Sequence, residues 1–234
     1  MLKYMRIKIK FGPNTEKFSK PTNDYVNGFV HNVLGKENKW HDSFSPYSIS
    51  AMHGGNFDKE SGMIQFPNGG YFIVSSDNEE FISDIFCGLA SLTNEKLQSM
   101  PYAGFETYSC GSSSFYDVIR AENVRVKDNN KEITINDEQF VNVLLEHAKK
   151  KLINCGISEE DANSLKFEPF HKENWKVKMV KMKYGSDKQS ITPSSTIMLV
   201  VKGKKIAREK LISLGLGNST GSGFGFITTK NDNK

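Results

Sequence analysis

The sequence predicts an α+β protein made of two similar halves, each with the element order β-α-β-β-α-β. Three observations lead to this prediction. Hydrophobic patterning gives that order in both halves, small residues at 111–114 interrupt the pattern between them, and 234 residues suit two small domains. The order β-α-β-β-α-β is the ferredoxin-like arrangement. We therefore expect two tandem ferredoxin-like domains, residues 1–112 and 113–234, the second of them carrying a C-terminal glycine-rich loop.

In the first half, the elements are predicted from apolar residues that alternate, as in a strand, or recur at helical spacing. In chain order they are a strand at 4–11, a helix at 21–34, a short extended segment at 46–52, strands at 63–66 and 71–75, a helix at 77–92 and a strand at 102–109. The Pro-Asn-Gly-Gly sequence at 67–70 separates the two strands at 63–66 and 71–75. Such a turn predicts that these two strands pair as a hairpin.

The second half repeats this order with some additions. Its predicted elements are strands at 116–126 and 131–135, a helix at 137–153, strands at 165–170, 175–184 and 195–202, a helix at 203–214 and a strand at 224–229. No repeat is visible at the level of residues, so the duplication is inferred from element order alone.

Composition argues against several classes of protein. No stretch approaches the ~20 apolar residues that span a bilayer, and the N-terminal segment lacks the continuous apolar run of a signal peptide. We therefore expect a cytoplasmic protein with no membrane partner. The three cysteines, Cys87, Cys110 and Cys155, lie far apart, and no Cys or His cluster has zinc-ligand spacing. The sequence gives no reason to expect a metal or a cofactor.

Positive charge is concentrated in the second half. Residues 166–210 contain 12 Lys and Arg against 4 Asp and Glu, although the net charge of the whole chain is only +4. This concentration is typical of a surface that binds a phosphate backbone, but a solvated lysine-rich face has the same composition. The candidate phosphate-binding side chains on the basic strand and helix are Lys176, Lys178, Lys181, Lys183, Lys204, Lys205 and Arg208.

The lysines of the basic strand share one face only if the strand is irregular. Lys176 and Lys178 alternate with apolar residues, whereas Lys181 and Lys183 follow after a shift of one residue. A β-bulge near residues 179–180 would bring all four to the same side, and we expect one there. The alternative is an edge strand whose lysines discourage pairing with another sheet.

A glycine-rich segment lies between the last predicted helix and the last predicted strand. It places five glycines within eleven residues: Gly215, Gly217, Gly221, Gly223 and Gly225. Glycine adopts positive φ at little cost and allows close backbone approach, and free amides in such a loop can bind a phosphate oxygen. No Gly-Lys-Ser/Thr of a Walker A motif follows, and the loop comes after a helix, which is the reverse of the Rossmann order. We expect a role in binding a nucleic-acid backbone or in packing.

The spacing of glycines at 215–225, Gly-x-Gly, five residues and then Gly-Phe-Gly, resembles the glycine-rich motif of the RAMP superfamily of CRISPR-associated proteins. Within that superfamily it is most similar to the Cas6 endoribonucleases. The N-terminal half is also similar to that family. Residues 28–32, 40–42 and 47–50 resemble its first helix, its Leu-His-Glu step and its Phe-Thr-Tyr-Ser strand. The C-terminal motif is the more specific of the two.

The resemblance implies a metal-independent nuclease that cleaves CRISPR repeat RNA and leaves 2′,3′-cyclic phosphate and 5′-hydroxyl ends. Such cleavage needs a base, an acid and positive charge at the phosphate, and histidine suits both proton transfers. His41 matches the family's principal catalytic histidine, and His31 matches a first-helix position where relatives carry a tyrosine. The lysine that some relatives carry before the strand is missing, so the charge of the transition state would be met by the second histidine, by Ser48 or Ser50, or by a lysine from elsewhere.

The other three histidines have simpler interpretations from the sequence. His53 precedes two glycines and suits a turn, His147 lies mid-helix and is expected to be solvated, and His171 precedes the basic strand, where it could contact phosphate.

The implied partners are CRISPR repeat RNA, the crRNA product and a CRISPR effector complex. The sequence leaves the choice between monomer and homodimer open. An alternative function is a non-catalytic RAMP subunit that binds guide RNA in an effector complex, since a fold does not define a function.

Overall fold

A computed structural model of the chain describes residues 5–19, 23–35, 37–40, 45–109, 118–184, 188–229 and 232. Its described helices are all too short or too polar to cross a membrane. The described elements before residue 110 are β1 (Met5–Phe11), β2 (Asn14–Ser19), α1 (Asn23–Leu34), β3 (Tyr47–Ile49), β4 (Asn56–Phe57), β5 (Met63–Phe66), β6 (Gly70–Ser76), α2 (Glu79–Ser91), β7 (Lys96–Leu97) and β8 (Met100–Ser109). Those after residue 117 are β9 (Val118–Val124), β10 (Val126–Asp128), β11 (Lys131–Ile133), α3 (Phe140–Asn154), α4 (Glu159–Asn163), β12 (Lys166–Pro169), β13 (Lys176–Tyr184), β14 (Lys188–Lys202), α5 (Lys205–Leu214) and β15 (Phe226–Thr228).

The N-terminal sheet has the strand order β3-β6-β1-β8-β7, with β1 antiparallel to both β6 and β8. Helix α1 comes between β1 and β3, and α2 comes between β6 and β8, which is the ferredoxin-like connection. Alternation along β1 determines its two faces. Ile7 and Ile9 are buried in the core with apolar residues of both helices, whereas Arg6 and Lys8 lie on the opposite face.

The C-terminal sheet has the order β12-β14-β9-β15, and β13 extends it by pairing with β14. Helix α3 comes between β9 and β12, and α5 comes between β14 and β15, so the second domain is ferredoxin-like as well. Its core packs Leu144 of α3 and Leu211 of α5 against Leu199 of β14. The prediction of tandem ferredoxin-like domains is confirmed. The boundary predicted between residues 112 and 113 lies outside the described residues and stays a prediction.

The predicted pairing of residues 63–66 with 71–75 is wrong. The turn forms, because the N–H of Gly69 donates to the carbonyl oxygen of Phe66 at 3.0 Å. However, β5 pairs with β2 and β4 in a separate sheet, while β6 pairs with β1 and β3. The reason is packing of the apolar face of β5, since Phe66 contacts Phe18 of β2 with ring centroids 5.7 Å apart.

Candidate functional site

The glycine-rich loop, residues 215–225, joins α5 to β15 and is fixed by backbone hydrogen bonds. The N–H of Leu216 donates to the carbonyl of Gly225 at 2.8 Å, and the N–H of Gly225 donates to the carbonyl of Asn123 at 3.1 Å. Gly225 has φ +65°, and a Cβ there would lie 1.7 Å from the carbonyl oxygen of Leu216. Gly215, Gly217 and Gly223 also have positive φ. Backbone conformation and close packing therefore both require glycine in this loop.

The same loop lies directly against the N-terminal domain. A Cβ at Gly221 would come within 2.5 Å of the Oγ atom of Ser45, so a larger residue would push the two domains apart. The Oγ1 atom of the adjacent Thr220 donates a hydrogen bond to the carbonyl oxygen of Tyr47 at 3.0 Å, and both residues are buried. The loop is thus bonded to β3 at the strand's first residue.

The segment 41–44 lies outside the described residues, but the residues near each of its ends are well anchored. Trp40 and Tyr47 both pack on the ring of Phe81 in α2, Trp40 edge-on with centroids 5.4 Å apart and Tyr47 stacked at 4.2 Å. The indole N–H of Trp40 also donates to Asp84 at 2.8 Å. One helix therefore positions the chain on both sides of this segment.

Of the two predicted catalytic histidines, His31 and His41, the structure describes only His31. His41 falls outside the described residues. His31 lies near the C-terminal end of α1, partly buried, with its Nδ1 atom shielded from solvent. The first residue of α1, Asn23, donates through Nδ2 to the carbonyl oxygen of Gly223 at 3.2 Å, which ties the helix to the glycine-rich loop. The pairing of His31 with His41 stays a prediction.

Two predicted phosphate contacts, Ser48 and Ser50, are buried and bonded within the protein. The hydroxyl of Ser48 donates to the carbonyl oxygen of Ser213 in α5 at 3.1 Å. The hydroxyl of Ser50 donates to the carbonyl of Ala51 and accepts from the N–H of Ile73. Neither side chain faces solvent, so the structure gives them packing contacts and leaves no surface through which RNA could reach them.

The predicted bulge in the basic strand is wrong. β13 pairs with β14 in continuous register from Lys176 to Tyr184, so each residue of β13 lies opposite one residue of β14 and no extra residue is inserted. Lys176 and Lys178 are exposed and share one face of the strand. Lys181 and Lys183 fall on the opposite face because side chains alternate, and their side chains lie outside the described residues.

The basic residues of α5 and its N-terminus are largely engaged with acidic neighbours. Lys204 forms ion pairs with Glu160 at 2.6 Å and Asp161 at 2.7 Å, and these contacts raise the pKa of Lys204 to about 12. Lys205 lies 3.8 Å from Glu209 one helical turn away. Arg208 is partly buried. These three residues are therefore weaker candidates for phosphate contact than the exposed lysines of β13.

The remaining histidines lie in different environments. His53 stacks on Tyr71 with ring centroids 5.0 Å apart, and burial lowers its pKa. His147 is partly buried, with its Nδ1 atom shielded from solvent, so the prediction of a solvated side chain is wrong, and burial lowers the pKa of His147 as well. His171 is exposed and contacts a neighbouring glutamate.

A buried ion pair that the sequence did not reveal joins the two domains. Arg6, the second residue of β1, is fully buried and pairs with Asp232, and its guanidinium also donates to the carbonyl oxygen of Ile227 at 2.6 Å. The hydroxyl of Tyr108 donates to the same carboxylate at 2.6 Å. Arg6 lies on the face of β1 opposite Ile7 and Ile9, where residues of the second domain bury it.

Within the described ranges, no group of three or more His, Cys, Asp or Glu side chains is arranged to hold a metal ion. The chemistry that the described residues offer is that of histidine, hydroxyl and ammonium groups around the glycine-rich loop.

Comparison with known protein families identifies the C-terminal domain. Residues 118–229 match the family model described as CRISPR associated protein Cas6, C-terminal. A comparison with curated protein sequences finds no match. The matched residues include β9, the whole glycine-rich loop and β15, which are the elements that build the site described above.

Solved structures share the fold over nearly the whole chain. One is a RAMP protein that binds different RNA substrates, with 16% identity and a TM-score of 0.76 over 96% of this chain and 98% of that one. A Cas6-related protein from Pyrococcus furiosus has 18% identity and a TM-score of 0.76 with the same coverage. A Cas6 product complex has 11% identity and a TM-score of 0.61, also over 96% and 98%. Residues 118–229 thus match the Cas6 C-terminal family, and the chain shares its tandem fold with RAMP and Cas6 structures over nearly its whole length.

Proposed function

We propose that this protein is a metal-independent endoribonuclease that binds CRISPR repeat RNA and cleaves it once within the repeat. The observation that carries the proposal is that the glycine-rich loop contacts both the start of helix α1, the helix that carries His31 in its last turn, and the chain that follows residues 41–44. The loop contacts Ser45 and Tyr47 after that segment and Asn23 at the start of α1.

The proposed reaction is an in-line attack by the ribose 2′-oxygen on the adjacent phosphorus. The new P–O2′ bond forms as the P–O5′ bond breaks, which leaves a 2′,3′-cyclic phosphate and a 5′-hydroxyl. One histidine takes the 2′-OH proton, and another donates a proton to the leaving 5′-oxygen. His41 and His31 fill these two roles in the proposal, with His41 the principal residue and the assignment of base and acid left to experiment.

The RNA path in this proposal runs along the exposed lysines of β13. Lys176 and Lys178 face solvent on one side of that strand, and β13 packs against α1, the helix that carries His31. A phosphate backbone bound by these ammonium groups would reach the histidines without crossing the buried domain interface. Ser48 and Ser50 are left out of this path because they are buried.

Relatives support RNA as the substrate class. One structural neighbour is a RAMP protein that binds different RNA substrates, and others are Cas6 proteins in product and substrate-mimic complexes. The match of residues 118–229 to the Cas6 C-terminal family supports CRISPR repeat RNA as the ligand in this proposal and crRNA as the product.

The test is cleavage of labelled CRISPR repeat RNA in excess EDTA by the wild type, by His41→Ala and by His171→Ala as a control. We expect the wild type and the His171 variant to cut once. The His41 variant should bind RNA with unchanged affinity and cleave about 10²- to 10⁴-fold more slowly, the range for losing a general acid or base. Tight binding without cleavage by the wild type would instead favour a non-catalytic RAMP subunit.

A further inference from the structure

Lys151 is a buried ammonium group that lies beneath the glycine-rich loop. It belongs to α3, and its Nζ atom donates to the carbonyl oxygen of Leu214 at 2.6 Å and to the Oγ1 atom of Thr220 at 2.5 Å. Leu214 is the last residue of α5, and Thr220 begins the short turn within the loop. One side chain therefore bonds the start and the middle of the loop together.

The hydrogen bonds from Lys151 continue into the other domain. The Thr220 hydroxyl has a single proton, which it donates to a partner that can only accept, so toward Lys151 it is the acceptor in either charge state of the lysine. That partner is the carbonyl oxygen of Tyr47, at 3.0 Å. The direction of every bond is thus determined, from α3 through the loop to the first residue of β3.

A lysine in this place is costly to the fold. Its neighbours on the buried face of α3 are apolar, Ala148 and Leu152, and burial lowers the pKa of Lys151 to about 7. A methionine would fill the same space without the desolvation cost of a charge. Its hydrogen bonds to described residues go to the end of α5 and to the loop and, through Thr220, reach the chain that follows residues 41–44.

We propose that Lys151 is a positioning residue for RNA cleavage, which holds the glycine-rich loop in register with the first residue of β3. This inference rests on the proposed function. Lys151 is buried under the loop, so it sets the geometry of the cleavage site without contributing to RNA affinity.

The experiment compares wild type with Lys151→Met, Thr220→Val, the double variant and Lys150→Met. Lys150 is the exposed neighbour in the same helix and serves as the matched control. At saturating protein we expect Lys151→Met to cleave about 10- to 100-fold more slowly, the cost of a small misplacement of reacting groups. Its dissociation constant for repeat RNA should stay within about threefold of wild type, since the loss is in orientation and not in binding contacts. Lys150→Met should match wild type in both.

The double variant tests the route through Thr220. If Lys151 acts through that hydroxyl, Lys151→Met and Thr220→Val together slow cleavage no more than Lys151→Met alone. Multiplying losses would overturn the inference, as would a folded Lys151→Met that cleaves at the wild-type rate. Should Lys151→Met fail to fold, the nearly isosteric Thr220→Val decides: slower cleavage with unchanged RNA affinity supports the inference, and full activity overturns it.

A second readout separates this inference from the proposed function. Hydrogen–deuterium exchange of residues 45–50 and 215–225 should rise in Lys151→Met and remain unchanged in Lys150→Met, whether or not the wild type cleaves RNA. A wild type that does not cleave would end the proposed nuclease function. Lys151 would still be tested, because unchanged exchange in both segments would contradict its positioning role.

Discussion

The buried pair of Arg6 and Asp232 makes a sharp prediction about how the two domains are held together. Asp232→Ala removes a carboxylate that is 4% exposed from an arginine side chain that is 0% exposed. The guanidinium keeps its bond to the carbonyl of Ile227 and its place 4.6 Å from the centroid of the Phe226 ring. Neither of these partners carries a neutralising charge, so the positive charge at the domain interface is left without its carboxylate.

The expected loss of unfolding free energy is about 3–5 kcal/mol, the usual cost of breaking a buried ion pair by removing one partner. Glu106→Ala is the matched control. Glu106 also pairs with cations of β1, with Lys8 at 3.3 Å and with Lys10, but it is 45% exposed. Surface pairs are worth about 0–1 kcal/mol, so we expect the control to lose at most about 1 kcal/mol.

Urea denaturation followed by tryptophan fluorescence measures both losses, because Trp40 and Trp175 are buried in the N-terminal and C-terminal cores. We expect the Asp232 variant to shift to a lower urea midpoint at an unchanged slope. Equal losses in the two variants, within about 1 kcal/mol, would refute the argument that burial and not pairing decides the strength of these contacts.

Two further predictions concern the loop and the RNA path. In thermal or urea unfolding, Gly225→Ala should lower the unfolding free energy by about 2–4 kcal/mol, because a side chain there combines positive φ with a backbone clash. Gly28 on α1 has open space around it, so Gly28→Ala should change the unfolding free energy by less than about 1 kcal/mol. Lys176 and Lys178 are replaced together by Ala, and RNA affinity is measured at several salt concentrations. The slope of log affinity for repeat RNA against log salt should become shallower by about 1.4, which is about 0.7 for each lost phosphate contact. An unchanged slope would remove β13 from the RNA path.

Most of the fold could be predicted from the sequence because each core element has a clear apolar pattern. β1, α1, β6 and α2 alternate or repeat with the period of their element, and the structure has all four near the expected positions. The pairing of β5 could not be predicted, because its choice of β2 depends on contact with Phe18 in a mostly polar strand. A turn sequence specifies the local bend but not the sheet in which the next strand finds its partner.

The site was predictable where the sequence motif imposes backbone geometry. Positive φ at Gly215, Gly217, Gly223 and Gly225 is what the glycine pattern led us to expect. The roles of Ser48 and Lys151 could not be predicted, because they depend on which surfaces the two domains bury against each other. A serine in a strand and a lysine in a helix are ordinarily exposed, and only the docked loop converts them into interdomain contacts.

The glycine-rich loop therefore has a packing role that does not depend on its contacts with RNA. Its glycines allow the backbone of the C-terminal domain to approach Ser45 and to close on itself at Leu216. The predicted contact of this loop with an RNA backbone stays a prediction.

The central claim, cleavage by the ribose 2′-oxygen without metal, is tested most directly with two repeat RNAs in excess EDTA. One is all-ribose, and the other carries a single 2′-deoxy nucleotide immediately 5′ of the cleaved bond. We expect the first to give one cut with a 2′,3′-cyclic phosphate and a 5′-hydroxyl, and the second to bind equally well and remain intact. Cleavage of the deoxy substrate, or product ends bearing a 3′-hydroxyl and a 5′-phosphate, would contradict the account.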